Sequence, residues 1–226
     1  DRQEWLWGAA YGGYHPHYTS KTGGMITDLI WETFCSESAV YAYDAIYEYL
    51  DDAPELFEFL QAKGMPVKNA EEFRNYVNHY LLRAAAVGVL KGAISGNPGH
   101  HQALAMALAL VMDDYSDSYP NSKHLVDWAY HGVGRTAYMM TNALYRDGGG
   151  HESPSYNAIK LDFIRVSQVM EEIRAQHPEI YPVEQYPDIF ANEKASSIFD
   201  YFVAMNTLGV FQPSIGDGGS QIGVIK

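Results

Sequence analysis

The chain has 226 residues, of which 47% are hydrophobic, and a formal net charge of −13. That hydrophobic content excludes a disordered chain, and the acidic charge argues against nucleic acid as the main partner, because phosphate binding needs a basic face. The single cysteine, Cys35, excludes an intramolecular disulfide, and no apolar run approaches the roughly 20 residues that a membrane span needs.

The two ends of the sequence predict a segment of a longer protein. The first residues, from Asp1 to Trp5, do not form a signal peptide and include no methionine. The aromatic and glycine-rich stretch over residues 5–18 is predicted to be a surface loop. The last residues resemble the beginning of a strand, so we expect residues 212–226 to lead into a further domain.

Apolar residues recur at helical spacing almost without a break before residue 209. The pattern predicts helices over residues 26–34, 36–50, 54–62, 70–91, 101–113, 122–130, 135–146, 154–176 and 189–208. Ser36 and Asn69 are predicted helix N-caps, and Pro54 suits a first turn. Short loops between helices favour antiparallel hairpins, and a run of hairpins can curve into a solenoid or a ring. The sequence therefore predicts an all-α fold.

A first polar segment, residues 95–102, leads directly into the most apolar predicted helix. A helix N-terminus carries unpaired N–H groups and a partial positive charge, so it suits a bound carboxylate. Asn97 and Gln102 add hydrogen-bond donors, and His101 can act as an acid or a base near neutral pH. His100 stands beside it.

A second polar segment, residues 147–157, contains three consecutive glycines and Tyr156. Arg146 and His151 precede the tyrosine, and nearby cations stabilise a phenolate. Three glycines in a row cost backbone entropy, so we expect the backbone there to approach another group closely. We expect the two polar segments to face each other across a cleft.

These motifs resemble those of the heparinase II/III-like polysaccharide lyases, which include alginate and glycosaminoglycan lyases. The resemblance rests on three stretches within roughly residues 25–220, namely residues 99–102 with the apolar helix that follows, residues 147–156, and residues 213–217. It implies an (α/α) toroid of antiparallel hairpins over residues 1–211, incomplete and without the β-sandwich that follows the toroid in the family. It also implies a secreted or periplasmic bacterial protein.

The resemblance implies β-elimination on an acidic, uronate-containing polysaccharide. By the family pattern, His101 and Tyr156 match the catalytic histidine and tyrosine. Many members have asparagine directly before that histidine, whereas His100 stands here with Asn97 upstream. The implied substrate-binding residues are Asn97, His100, Gln102, Arg146, His151, Glu152 and Trp31. No cofactor is implied for this segment, although the missing β-sandwich could hold a structural metal.

Other functions fit parts of the sequence. Asp147 and Glu152 could be the paired carboxylates of an inverting (α/α)-barrel glycoside hydrolase. Residues 113–117 are rich in aspartate, as in the metal sites of all-helical terpene synthases, but an exposed acidic loop explains them more simply. Trp31 could line the groove or belong to the core. A helical-repeat module that binds carbohydrate without catalysis is a further alternative.

Overall fold

The structure of the chain is a computed structural model, which describes residues 32–92, 94, 96–136, 138, 142–206, 209 and 213. The predictions for Trp31, for the aromatic opening and for residues 214–226 lie outside these described residues. The predicted helix over residues 26–34 is described only from Glu32 onward.

Every regular element among the described residues is helical, which confirms the all-α fold class. The α-helices are α1 (Glu32–Ile46), α2 (Pro54–Ala62), α3 (Ala70–Val77), α4 (Ala84–Leu90), α5 (His100–Met112), α6 (Ser122–Tyr130), α7 (Pro154–Asn157), α8 (Phe163–Gln176) and α9 (Glu193–Met205). Short 3₁₀ turns cover Tyr49–Asp52, Ala158–Asp162 and Ile189–Ala191, and a π-helical turn covers Asn78–Arg83.

The chain divides into two compact units. Unit 1 comprises Asp1–Gly96 and Leu104–Val126, and unit 2 comprises Asn97–Ala103 and Asp127–Lys226. The first turn of α5 therefore counts with unit 2, together with the second polar segment. The predicted toroidal domain over residues 1–211 stays a prediction, as does the start of another domain at residue 212.

The helix predicted to begin after Asn69 does so in unit 1. The Asn69 side chain accepts a hydrogen bond from the backbone N–H of Glu72 at 2.9 Å, and the Glu72 carboxylate accepts one from the backbone N–H of Lys68 at 2.9 Å. Two backbone donors at the helix start are thereby satisfied. The helical path continues from α3 through the π-helical turn into α4, close to the predicted end at residue 91.

The predicted N-cap at Ser36 is wrong. Helix α1 runs through this residue, and Ser36 is buried on the same face as Thr33, Val40 and Tyr43. Neither glycine nor proline interrupts the chain there, so nothing ends the helix before Ser36. The spacing of three and four along this face places a small hydroxyl in the core rather than at a helix start.

The apolar stripe of α8 forms part of the core of unit 2. The predicted core residues Phe163, Val166, Met170 and Ile173 are buried. The connection after α8 is held by Arg174, whose guanidinium donates hydrogen bonds to the backbone carbonyls of Tyr181 and Tyr186, both of which are buried.

Two helices of unit 2 differ in extent from the helices predicted from the sequence. The last one is interrupted at Asn192, which is extended and caps α9 by accepting hydrogen bonds from two backbone N–H groups. Of the helix predicted over residues 135–146, the described residues Thr136, Tyr138 and Asn142 are helical, and residues 143–146 form bends and turns.

The aspartate-rich loop after α5 is organised around one carboxylate. Asp114 pairs with the guanidinium of Arg83 and accepts hydrogen bonds from the hydroxyls of Ser116 at 2.6 Å and Ser118 at 2.7 Å. Burial raises the pKa of Asp114, but the hydrogen bonds from both serines and from Arg83 outweigh it and hold the pKa well below its usual range. This loop therefore has a structural role in unit 1.

We expect Asp114→Asn to lower the free energy of unfolding by about 1.5–3 kcal/mol at neutral pH, the usual contribution of hydrogen bonds to a charged group. Because the folded-state pKa is depressed, this stabilisation is complete above the unfolded-state pKa of about 4 and is lost as pH falls below it. Urea unfolding at pH 6 and near pH 2.5 measures the difference. Asp117→Asn, in the exposed part of the same loop, is the control. If the free energies of unfolding of wild type and Asp114→Asn differ by the same amount at both pH values, the prediction is contradicted.

Candidate functional site

The turn at the start of α5 is closed by the side chain of Gln102. Its carbonyl oxygen accepts a hydrogen bond from the backbone N–H of Gly99 at 2.8 Å, and its amide nitrogen donates to the backbone carbonyl of Gly134 at 2.8 Å. Gln102 is only 1% exposed. The first contact is half of a capping box. The Gln102 amide thus stabilises the turn, and its predicted part in substrate binding stays a prediction.

His100 connects the two halves of the candidate site. It is 3% exposed, and its Nε2 lies 2.9 Å from Oδ2 of Asp162, in the 3₁₀ turn that follows α7. Arg165 Nη2 lies 3.1 Å from the same oxygen. Its burial against Asp162 indicates a structural role, and its predicted part in substrate binding stays a prediction.

The backbone makes a second contact at the same place. Gly99 has a φ of +108°, and a Cβ built there would lie 3.0 Å from both the Ile159 carbonyl oxygen and the Asp162 Cβ. Glycine therefore lets the first polar segment pack directly on the turn that follows Tyr156. The first polar segment thus packs on the turn Ala158–Asp162, which directly follows the second polar segment, and the predicted cleft between the two segments stays a prediction.

His101 lies in the first turn of α5 and is half-buried. Its ring packs edge-to-face on Trp128 of α6, with 5.6 Å between ring centroids and 69° between planes. This contact limits the orientations of the imidazole. Asn97, which precedes the helix, is also half-buried, and its carbonyl accepts a hydrogen bond from the backbone N–H of His100 at 3.0 Å.

Tyr156 lies in the first turn of α7, as predicted. Ser153 caps this turn by accepting a hydrogen bond from the backbone N–H of Tyr156 at 3.3 Å, and Pro154 occupies the first helical position. The Tyr156 side chain is half-buried. Within the described part of the chain, its hydroxyl forms no hydrogen bond. The backbone of Tyr156 is therefore fixed by the cap, and its phenol ring is partly exposed to solvent.

The three glycines of the second polar segment are explained by contacts within the protein. A Cβ on Gly148 would lie 2.1 Å from the Ser197 carbonyl oxygen, and one on Gly149 would lie 2.7 Å from the Tyr201 ring. A Cβ on Gly150 would lie 2.3 Å from Oδ1 of Asn157. The predicted close approach is thus to α9 and α7. The glycines do not by themselves indicate a bound ligand.

A buried lysine lies in the 3₁₀ turn that directly follows this segment. Lys160 is 3% exposed, and its ammonium donates hydrogen bonds to Oδ1 of Asn157 at 2.7 Å and to the Glu152 carboxylate at 3.4 Å. Burial lowers the pKa of Lys160, and the negative charge of Glu152 opposes that shift. Glu152 thus has a partner within unit 2, although its side chain stays 43% exposed.

The remaining predicted residues of this segment lie at its surface. Arg146, Asp147 and His151 are exposed. One carboxylate oxygen of Asp147 accepts a hydrogen bond from the backbone N–H of Gly149 at 3.1 Å. Both carboxylates of the glycoside hydrolase alternative, Asp147 and Glu152, therefore make contacts that stabilise the loop.

Sequence reasoning missed Trp128, Lys160 and Asp162. Lys160 and Asp162 stand between the apolar residues of a predicted amphipathic helix, where polar residues are expected to face solvent. A five-residue 3₁₀ turn between α7 and α8 changes the direction in which these side chains point.

The described residues contain no group of three or more histidine, cysteine, aspartate or glutamate side chains that could hold a metal ion. In the same part of the chain, no helix is long and apolar enough to cross a membrane. Comparison of the chain with protein-family models, with curated proteins and with solved structures gives no match.

Proposed function

We propose that the chain is the helical part of a polysaccharide lyase, similar to the heparinase II/III-like family, that cleaves a uronate-containing polysaccharide by β-elimination. The observation that supports the proposal best lies in unit 2, where the first polar segment packs on the turn Ala158–Asp162 that directly follows the second. The contact is made by His100 with Asp162 at 2.9 Å and by the close approach of Gly99 to Ile159. The segments that carry His101 and Tyr156 therefore belong to one packed cluster. The (α/α) toroid and the secreted or periplasmic location belong to the same proposal.

The proposed reaction has three chemical requirements. A base removes the proton on C5 of the uronate, the C4–O4 bond breaks as a C4=C5 double bond forms, and an acid protonates the departing O4. The carboxylate next to C5 must be neutralised, because negative charge develops there in the transition state. Tyr156 is the proposed acid, and for some substrate epimers also the base. His101 is the proposed partner in proton transfer.

Burial favours one candidate for the group proposed to meet the substrate carboxylate. Of the three candidates at the start of α5, His100 and Gln102 are buried and make contacts within unit 2. Asn97 is half-buried and is the candidate that we retain. The exposed side chains of Arg146 and His151 are proposed to bind the acidic polymer, since local positive charge such as that of Arg146 can favour an anionic ligand even where the net charge is −13.

The test is a panel of uronate polymers incubated with the 226-residue chain, including alginate, hyaluronan, chondroitin, heparan and a glucuronan. Elimination leaves a conjugated unsaturated uronate, so we expect ultraviolet absorbance to rise with at least one polymer. New reducing ends without that absorbance would favour the glycoside hydrolase alternative. Binding without turnover would favour the carbohydrate-binding module, and either result would overturn the lyase proposal.

A further inference from the structure

Lys160 follows the candidate catalytic tyrosine by one helical turn and is enclosed by protein. An ammonium is costly to bury unless it is paired and hydrogen-bonded. Here the Asn157 amide at 2.7 Å and the Glu152 carboxylate at 3.4 Å provide those contacts. Lysine is rarely buried, and the proposed reaction leaves this ammonium without a role.

Asn157 links Lys160 to the turn that carries Tyr156. It directly follows Tyr156 in α7 and is 0% exposed. Its Oδ1 accepts from Lys160, and its Nδ2 donates to the backbone carbonyl of Glu152 at 3.2 Å. Both ends of the amide are therefore used, and the side chain spans from Lys160 to the residue before the Ser153 cap.

The contact between Lys160 and Asn157 is packed too tightly to rearrange without a cost in free energy. A Cβ on Gly150 would lie 2.3 Å from Oδ1 of Asn157 and 3.1 Å from Nζ of Lys160. The backbone of the second polar segment thus covers the contact between lysine and asparagine. Displacing either side chain would move the segment that leads into α7.

We propose that Lys160 is a positioning residue for Tyr156, which it acts on through Asn157 and Glu152. The inference rests on the proposed lyase function. The ammonium does not contact substrate. It fixes the first turn of α7, so that the phenol meets O4 in a reactive geometry.

Lys160→Met keeps a side chain of similar length and removes the charge. We expect kcat on the preferred uronate polymer to fall by roughly 10- to 100-fold, the scale of a small misplacement of a catalytic group. KM should stay within about 3-fold of wild type, because the surface groups proposed to attract the polymer are unchanged. Initial rates over a range of substrate concentrations measure both constants.

Gly150→Ala provides a second variant in case Lys160→Met does not fold. It keeps every charge and displaces Asn157, so the same fall in kcat is expected. Ser167→Ala is the matched control, since it removes a different buried hydrogen bond of unit 2, from Ser167 to Asp188 at 2.6 Å. Its kcat should equal that of wild type, even if its melting temperature falls as far as that of Lys160→Met.

The outcomes separate the two proposals. A wild-type chain that produces no unsaturated uronate overturns both. A wild-type chain that is active, with Lys160→Met and Gly150→Ala both as active as Ser167→Ala, overturns only the role of Lys160. A fall in kcat that Ser167→Ala reproduces at equal loss of stability also overturns it.

Discussion

Tyr156→Phe is expected to lower the rate of elimination by about 10²–10⁴, the usual contribution of a positioned acid–base group. The change removes only the hydroxyl and keeps the ring of this half-buried side chain. Because the hydroxyl forms no hydrogen bond within the described residues, the free energy of unfolding should change by no more than about 0.5 kcal/mol. Substrate binding should be nearly intact.

Three measurements are needed for this variant. Initial rates of absorbance increase give turnover, calorimetric titration with the polymer gives binding, and urea unfolding gives stability. Tyr145→Phe is the matched control, because Tyr145 is exposed and also belongs to unit 2. Turnover by Tyr156→Phe within a few-fold of wild type would remove Tyr156 from the mechanism and, with it, the main reason for the lyase proposal.

Gly148→Ala is expected to lower the free energy of unfolding by about 2–5 kcal/mol. Gly148 has a φ of +80°, and an L-residue in that region costs about 1–2 kcal/mol. The added Cβ would lie 2.1 Å from the Ser197 carbonyl oxygen, a contact with backbone that cannot rotate away. Overpacking of this kind costs about 1–3 kcal/mol more. Urea unfolding followed by circular dichroism measures the sum.

Gly92→Ala separates the two causes. Gly92 also has a positive φ, +68°, but a Cβ there would meet nothing within 4 Å. We therefore expect Gly92→Ala to lower the free energy of unfolding only by the cost of the backbone conformation, about 1–2 kcal/mol. If Gly148→Ala lowers the free energy of unfolding no more than Gly92→Ala does, then the close approach of the added Cβ to Ser197 does not contribute to the loss.

The features predicted correctly from the sequence are those that depend on neighbouring residues. Asn69 caps its helix because the acceptor and the donor stand three residues apart. Pro54 begins α2, and the apolar stripe of α8 is buried, for equally local reasons. Periodicity and capping are short-range properties of the chain, so one sequence is enough to predict them.

Other features that were not predicted depend on partners distant in sequence. His100 and Gln102 were predicted to bind substrate, but His100 lies against Asp162 and the Gln102 amide donates a hydrogen bond to Gly134. Their burial follows from tertiary packing, which no local pattern encodes. The same holds for Ser36, whose hydroxyl suits an N-cap but lies on the buried face of a continuous helix.

The contact between His100 and Asp162 also bears on how related chains could differ. It joins positions about sixty residues apart. The entropy lost on closing a flexible chain grows only with the logarithm of its length, so doubling the intervening length adds only about 0.6 kcal/mol. Added length in the loops between α5 and α7 would thus cost little of the free energy of this contact. Related chains can therefore differ in the lengths of those loops and still bring the start of α5 to the turn that follows α7.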